Sequence, residues 1–100
     1  MLQARVEIPV ERVAAFCRRN RIRSLQLFGS VLRGDFRDES DVDFLVEFEP
    51  GEKVGLLGVA RMELELSEIV GRKADLRTVA ELSRYFRDDV VRSALVVYSA

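Results

Sequence analysis

Residues 27–46 constrain the fold more than any other part of this chain of 100 residues. Their sequence, LFGSVLRGDFRDESDVDFLV, predicts a strand, a tight glycine turn, a short helix, a polar loop and a second strand. Asp41 and Asp43 stand at the head of the second strand. Because side chains alternate between the two faces of a strand, both carboxylates are expected on one face, with Val42 on the other.

The same segment combines features that suit phosphate and metal binding. Two adjacent carboxylates repel each other unless a positive group lies between them, and a hard cation such as Mg²⁺ is the usual partner. Gly29 permits a tight turn and the close approach of a ligand. Ser30 begins the short helix predicted over 31–33, where free amides and a hydroxyl favour a phosphate. Phosphoryl or nucleotidyl transfer needs this combination.

The spacing of these residues resembles that of a known family. Gly29 and Ser30, ten further residues and then Asp41-Val42-Asp43 resemble the GS-x10-D-x-D signature of the nucleotidyltransferase superfamily that includes DNA polymerase beta. The string RGDFRDESDVDFLV is similar to the minimal nucleotidyltransferases, the MNT group, which are often antitoxins paired with HEPN-domain toxins. The motif covers about a fifth of the chain, and length and element order extend the resemblance to nearly all of it.

This resemblance implies a fold and an architecture. The expected fold is α/β (α+β): a small mixed β-sheet with helices packed mainly on one face, forming a single domain over residues 1–100. The expected elements beyond the motif follow from the sequence pattern. They are a helix after Pro9, strands at 24–28 and 41–48, a helix at 54–70 ending at Gly71, a strand at 73–78, a helix at 83–93 and a strand at 95–98.

The resemblance also implies roles for individual residues. Asp41 and Asp43 are expected to hold Mg²⁺. The family has a third acidic residue on the neighbouring strand, and Asp75 matches it, as a ligand of a second Mg²⁺ ion or as a base. Gly29 and Ser30 are expected to hold the phosphates of ATP, the implied substrate.

Several of these positions have a second interpretation from the residues alone. Asp75 interrupts a strand-like stretch and could instead pair with Lys73 or Arg77. Arg33 and Arg37 flank the polar loop as candidates for phosphate contacts. Arg37 could equally pair with a carboxylate at position 38 or 39.

The helix at 54–70 carries more apolar surface than packing on one sheet requires. One apolar face is extended by four further residues well past half the circumference. Two interpretations stay open: an oligomer or partner contact through this helix, or a helix buried more deeply than usual. The residues that extend the face are Leu56, Leu57, Ala60 and Leu64.

Composition narrows the function class. Hydrophobic residues make up 48% of the chain, which supports a compact core, and a net charge of −1 argues against a nucleic-acid partner. The chain has no His, which removes His general-base and His metal chemistry. The single Cys17, expected on the buried stripe of the first helix, fits a reducing cytoplasm. No long apolar run is present, so a cytoplasmic protein without a membrane span is expected.

The function implied by the resemblance is Mg²⁺-dependent transfer of AMP from ATP to a hydroxyl, expected to be a tyrosine, of a HEPN-type toxin. Such a protein would act as an antitoxin. One alternative is a non-catalytic antitoxin that neutralises its partner by complex formation. Another is a regulatory subunit that binds an NTP without transferring it.

Overall fold

The computed structural model describes residues 2–3, 6–32 and 41–100, and within these ranges it contains three α-helices, two 3₁₀ turns and six strands. A two-stranded antiparallel ribbon precedes a four-stranded sheet. The strands are β1 (Leu2–Gln3), β2 (Val6–Glu7), β3 (Ile22–Phe28), β4 (Val42–Phe48), β5 (Ala74–Arg77) and β6 (Leu95–Ser99). The helices are α1 (Val10–Arg19), α2 (Leu56–Val70) and α3 (Arg87–Ser93), and the 3₁₀ turns are Gly29–Leu32 and Val79–Glu81.

The four-stranded sheet is mixed, with the strand order β5-β4-β3-β6. β4 runs parallel to β5 and antiparallel to β3, and β3 runs antiparallel to β6. A parallel pair needs a crossover connection, which α2 supplies between β4 and β5. β4 is therefore central, and its residues Phe44, Leu45 and Val46 are at most 5% exposed. The second half of this strand is therefore apolar on both faces, as its interior place in the sheet requires.

The main core lies between one face of the sheet and the helices α1 and α2. Phe16 of α1 and Leu66 of α2 are fully buried in one cluster with Leu27 of β3 and Phe44 of β4. Burying such side chains removes apolar surface from water and is the main stabilising contribution to a domain of this size. The predicted architecture, a small mixed sheet with helices mainly on one face, is confirmed.

Several element boundaries differ from those predicted, and two of the differences have a local cause. β3 begins at Ile22 instead of residue 24, because Arg21 takes a left-handed turn (φ 57°) that brings Ile22 opposite Phe48. The last helix begins at Arg87 instead of residue 83. Thr78 donates its backbone N–H to Glu81 Oε1 at 2.9 Å. This capping box stabilises the 3₁₀ turn Val79–Glu81. Residues 83–86 form a separate turn, in which Phe86 donates its N–H to the Ser83 carbonyl oxygen at 3.2 Å, so α3 begins only at Arg87.

α2 ends as predicted at Gly71, which is left-handed (φ 75°) and donates its N–H to the Ser67 carbonyl oxygen at 2.9 Å. Its additional apolar residues are not buried: Leu56, Leu57 and Leu64 are 90%, 84% and 72% exposed. The interpretation of this helix as more deeply buried than usual is therefore wrong. None of the described helices is both long and apolar enough to cross a membrane.

Cys17 lies on the buried face of α1, in the core, and is 0% exposed. Burial away from water disfavours the thiolate and raises the pKa of Cys17 to about 12, against a weaker opposing effect of Arg18. Since the thiolate is the reactive form, this thiol behaves as a small hydrophobic side chain. The prediction of a buried Cys17 is confirmed.

Candidate active site

Two of the three candidate carboxylates lie on neighbouring parallel strands. Asp43 of β4 and Asp75 of β5 are direct partners in the strand register. Adjacent strands lie about 4.8 Å apart, so the two aspartates stand side by side. Their neighbours Val42 and Ala74 point into the core and are 0% and 1% exposed. Because side chains alternate, both aspartates face away from that core, and both are half-buried.

Asp41 precedes β4 and is held at the same end of the sheet. Its Oδ2 lies 3.6 Å from Lys73 Nζ, in an exposed ion pair. The backbone of the same lysine accepts a hydrogen bond from the Val42 N–H at 2.8 Å, which aligns the start of β4 with that of β5. Asp41 and Asp43 thus flank a buried Val42, as the alternation of the strand predicts.

The interpretation of Asp75 as an ion-pair partner of its own strand is wrong. Lys73 pairs with Asp41, and Arg77 Nη1 lies 3.8 Å from Glu63 Oε2. Among the residues that the structure describes, Asp75 makes no ion pair. The two cations of its own strand are thus directed to other carboxylates, Asp41 and Glu63.

Gly29 brings the backbone directly against the carboxylate of Asp43. The residue is left-handed (φ +79°), and a Cβ built on it would lie 2.6 Å from Asp43 Oδ2. Phe28, the residue before it, is the antiparallel partner of Asp43 across the sheet. Only glycine satisfies both the backbone angle and the contact. Ser30 follows in the 3₁₀ turn and is half-buried.

Not every candidate residue can be placed beside this group. Arg33 and Arg37, the candidates for phosphate contacts, lie in the stretch 33–40, outside the described residues. In the described ranges, no three or more His, Cys, Asp or Glu side chains are grouped so that they could hold one metal ion. Asp41 pairs with Lys73. Its carboxylate would have to leave this ion pair to lie beside those of Asp43 and Asp75. An exposed ion pair contributes little, so this rotation costs little.

Two residues of α2 that sequence reasoning missed hold the strand that carries Asp75. Ser67 Oγ accepts the N–H of Ala74 at 2.8 Å, and Glu63 Oε2 accepts the N–H of Leu76 at 2.7 Å. These two N–H groups flank Asp75 and lie on the outer edge of β5, where no further strand pairs among the described residues. Ser67 and Glu63 stand four residues apart, and hence on one helix face. The sequence shows this spacing, but it does not show that an edge strand lies beside this face of the helix.

We expect Ser67→Ala to destabilise the fold by about 1–3 kcal/mol, because the buried Ala74 N–H loses its acceptor. Glu63→Gln keeps an acceptor oxygen and should cost less than Glu63→Ala. Urea unfolding of the three variants measures the costs, with Glu68→Ala, an exposed change on the same helix, as the control. If Ser67→Ala unfolded at the same urea concentration as Glu68→Ala, the proposed support of β5 would be rejected.

Comparison with known proteins places this geometry in a family. The family model described as "Nucleotidyltransferase domain" matches residues 10–97. The chain belongs to the nucleotidyltransferase domain family. The match runs from the first residue of α1 to the third residue of β6, and so includes every strand of the four-stranded sheet.

Individual members of the family agree with this assignment. The chain is 34% identical over 76 residues to the protein adenylyltransferase MntA of Thermococcus cleftensis, covering 76% of this chain and 75% of the relative. A solved structure provisionally described as a minimal nucleotidyltransferase is 38% identical, covers 86% of both chains and superposes with a TM-score of 0.67.

A third comparison concerns the fold alone, because the sequence identity is only 17%. It is a structure of tri-AMPylated Shewanella oneidensis HEPN toxin in complex with MNT antitoxin, matched with a TM-score of 0.64 over 91% of this chain and 70% of that chain. The sequence-based predictions of an MNT-like nucleotidyltransferase, of its fold and of its enzyme class are confirmed.

Proposed function

We propose that this nucleotidyltransferase moves AMP from ATP onto a hydroxyl of a HEPN-type protein partner, and that this transfer silences the partner. The observation that carries the proposal is the register of Asp43 and Asp75, with Gly29 in contact with Asp43. The MntA relative and the complex of MNT antitoxin with AMPylated HEPN toxin support the choice of AMP and of the partner.

The donor set fits a magnesium ion. Asp43 and Asp75 offer carboxylate oxygens, the ligands that Mg²⁺ prefers, and two like charges in register gain from a cation between them. Asp41 is the third candidate, once it leaves Lys73. When bound there, Mg²⁺ would neutralise charge on the triphosphate and lower the pKa of an attacking hydroxyl.

The chain's own residues perform the rest of the reaction. The backbone N–H groups at Gly29 and Ser30, with the Ser30 hydroxyl, bind and orient the phosphates. The acceptor oxygen forms a bond to the α-phosphorus, the bond from that phosphorus to pyrophosphate breaks, and pyrophosphate leaves. Asp75 either holds the ion or takes the proton of the acceptor hydroxyl. Arg33 and Arg37 remain candidates for the outer phosphates.

A second function is favoured by the exposed leucines of α2. Leu56, Leu57 and Leu64 form an apolar surface on a helix whose opposite side is in the core. Exposed apolar clusters mark protein contacts, so this chain could neutralise a partner by binding alone. In that case Asp43→Asn would leave neutralisation intact. Under the adenylyltransferase proposal, it removes neutralisation together with transfer.

The test uses ATP labelled on the α-phosphate, Mg²⁺ and a HEPN-type protein encoded beside this chain's gene. We expect label on the partner, together with release of pyrophosphate. Chelation of divalent ions should stop both. A complex that forms normally but acquires no label from any of the four NTPs would reject the transfer and favour neutralisation by binding.

A further inference from the structure

A groove opens beside the candidate active site, between the 3₁₀ turn after β3 and helix α3. It has a volume of about 460 Å³. Its walls are formed by the turn on one side and by α3 with the residue before it on the other. The lining residues are Gly29, Leu32, Phe86, Asp89, Val90 and Ser93. Gly29 lines this groove and also contacts Asp43, so the groove is continuous with the site.

The lining of the groove suits the uncharged part of a nucleotide. Leu32, Phe86 and Val90 provide apolar surface, and the Phe86 ring is 51% exposed at the wall. An exposed aromatic ring can stack on the face of any nucleobase. Asp89 lines the same wall, but it pairs with Arg92 of α3, which offsets its charge. The backbone N–H groups proposed for the triphosphate lie at the Gly29 end of the groove.

We propose that this groove holds the base and ribose of the nucleotide substrate, with Phe86 stacked on the base. The proposal rests on the proposed function, since it assumes that the triphosphate lies at the 3₁₀ turn. A nucleoside fits this groove because the groove starts at the turn, is mostly apolar and carries one exposed aromatic ring. Binding of the nucleoside then depends on Phe86 and α3, more than 40 residues beyond the signature motif, which ends at Asp43.

The test compares two ligands that share the triphosphate, of which only one carries a base and a ribose. Binding of Mg²⁺-ATP and of inorganic tripolyphosphate is measured on the full chain by calorimetry. We expect Phe86→Ala to weaken ATP binding roughly ten-fold, the scale of a lost base–aromatic stack, and to leave tripolyphosphate binding unchanged. Phe86→Trp should retain ATP binding. Tyr85→Ala is the matched control, because Tyr85 is 84% exposed and stands next to Phe86 without lining the groove.

The other outcomes overturn the groove assignment, the adenylyltransferase proposal or both. Unchanged ATP affinity in Phe86→Ala would reject the groove assignment, and so would an equal loss for tripolyphosphate, which would indicate a distorted site. Labelled transfer by a Phe86→Ala variant with normal ATP affinity would reject the groove and leave the adenylyltransferase proposal standing. If ATP affinity depended on Phe86 but the wild-type chain transferred no label, the groove assignment would stand and the adenylyltransferase proposal would be rejected. A wild-type chain that binds no ATP would overturn both.

Discussion

Asp43→Asn is expected to lower AMP transfer by at least about 10²–10³-fold, the loss that follows removal of one group stabilising charge in a transition state. The substitution keeps the shape of the side chain and removes its charge. Asp43 connects the other residues of the site. Asp75 is its register partner on the neighbouring strand β5, and Gly29 lies against its carboxylate. A neutral amide at this position binds Mg²⁺ more weakly than a carboxylate does.

The fold should survive this substitution. Like charges directly opposite each other on neighbouring strands are destabilising, so loss of one charge relieves repulsion between Asp43 and Asp75. Because Asn has nearly the same shape as Asp, we expect the Asp43→Asn variant to stay folded and to unfold in one cooperative transition when Mg²⁺ is absent. Added Mg²⁺ should raise the Tm of the wild type more than that of the variant, because a ligand stabilises the state that binds it.

Label transfer and thermal unfolding, with and without Mg²⁺, measure the two effects. Asp88→Asn is the control, because it removes the same charge from an exposed position on α3 that does not line the groove. Transfer at the wild-type rate by a folded Asp43→Asn variant would reject the role of this carboxylate. A loss of transfer that Asp88→Asn shares would indicate an effect of net charge alone.

Much of this fold could be predicted because local patterns determine it. The alternation of side chains around Val42 is enough to predict Asp41 and Asp43 on one face, and Val42 is fully buried on the other. Gly71 marks the end of α2 because few other residues adopt the left-handed angle that ends a helix. Features of this kind depend on neighbours in the chain, so one sequence is enough to predict them.

The features that were missed depend on contacts between distant segments. Asp75 was proposed from the family resemblance, but its register with Asp43 is fixed by the parallel pairing of β4 and β5. From the sequence, Glu63 and Ser67 are ordinary polar positions of α2. Their hydrogen bonds to the edge strand β5 are visible only in the structure. The groove between the 3₁₀ turn and α3 joins Gly29 to Phe86, and nothing in either segment alone indicates the other.

Gly29→Ala is expected to lower AMP transfer by about 10²-fold or more, since displacement of a catalytic group by about 1 Å can cost that much. The added methyl group would lie 2.6 Å from Asp43 Oδ2, too close for any real contact. The atom it meets is the end of a side chain, so the clash is relieved by turning the Asp43 carboxylate away. The steric cost thus falls on the geometry of the site more than on the stability of the fold.

The backbone angle adds a separate cost that the other glycines can isolate. Gly29, Gly51 and Gly71 all have positive φ angles, of 79°, 87° and 75°. Alanine in this left-handed region costs about 1–2 kcal/mol, which lowers the Tm of a domain of this size by roughly 4–8 °C per kcal/mol. A Cβ on Gly51 or Gly71 would have nothing within 4 Å. Gly51→Ala and Gly71→Ala should therefore share the loss of Tm and keep transfer.

Thermal unfolding and label transfer of the three alanine variants, measured at a temperature where all are folded, separate the two effects. Transfer lost only in Gly29→Ala would mean that the contact with Asp43 sustains the reaction. If all three variants lost transfer in proportion to their loss of Tm, stability alone would explain the result. If Gly29→Ala kept full transfer, the turn would not need its close approach to Asp43, and the phosphate site would have to lie elsewhere.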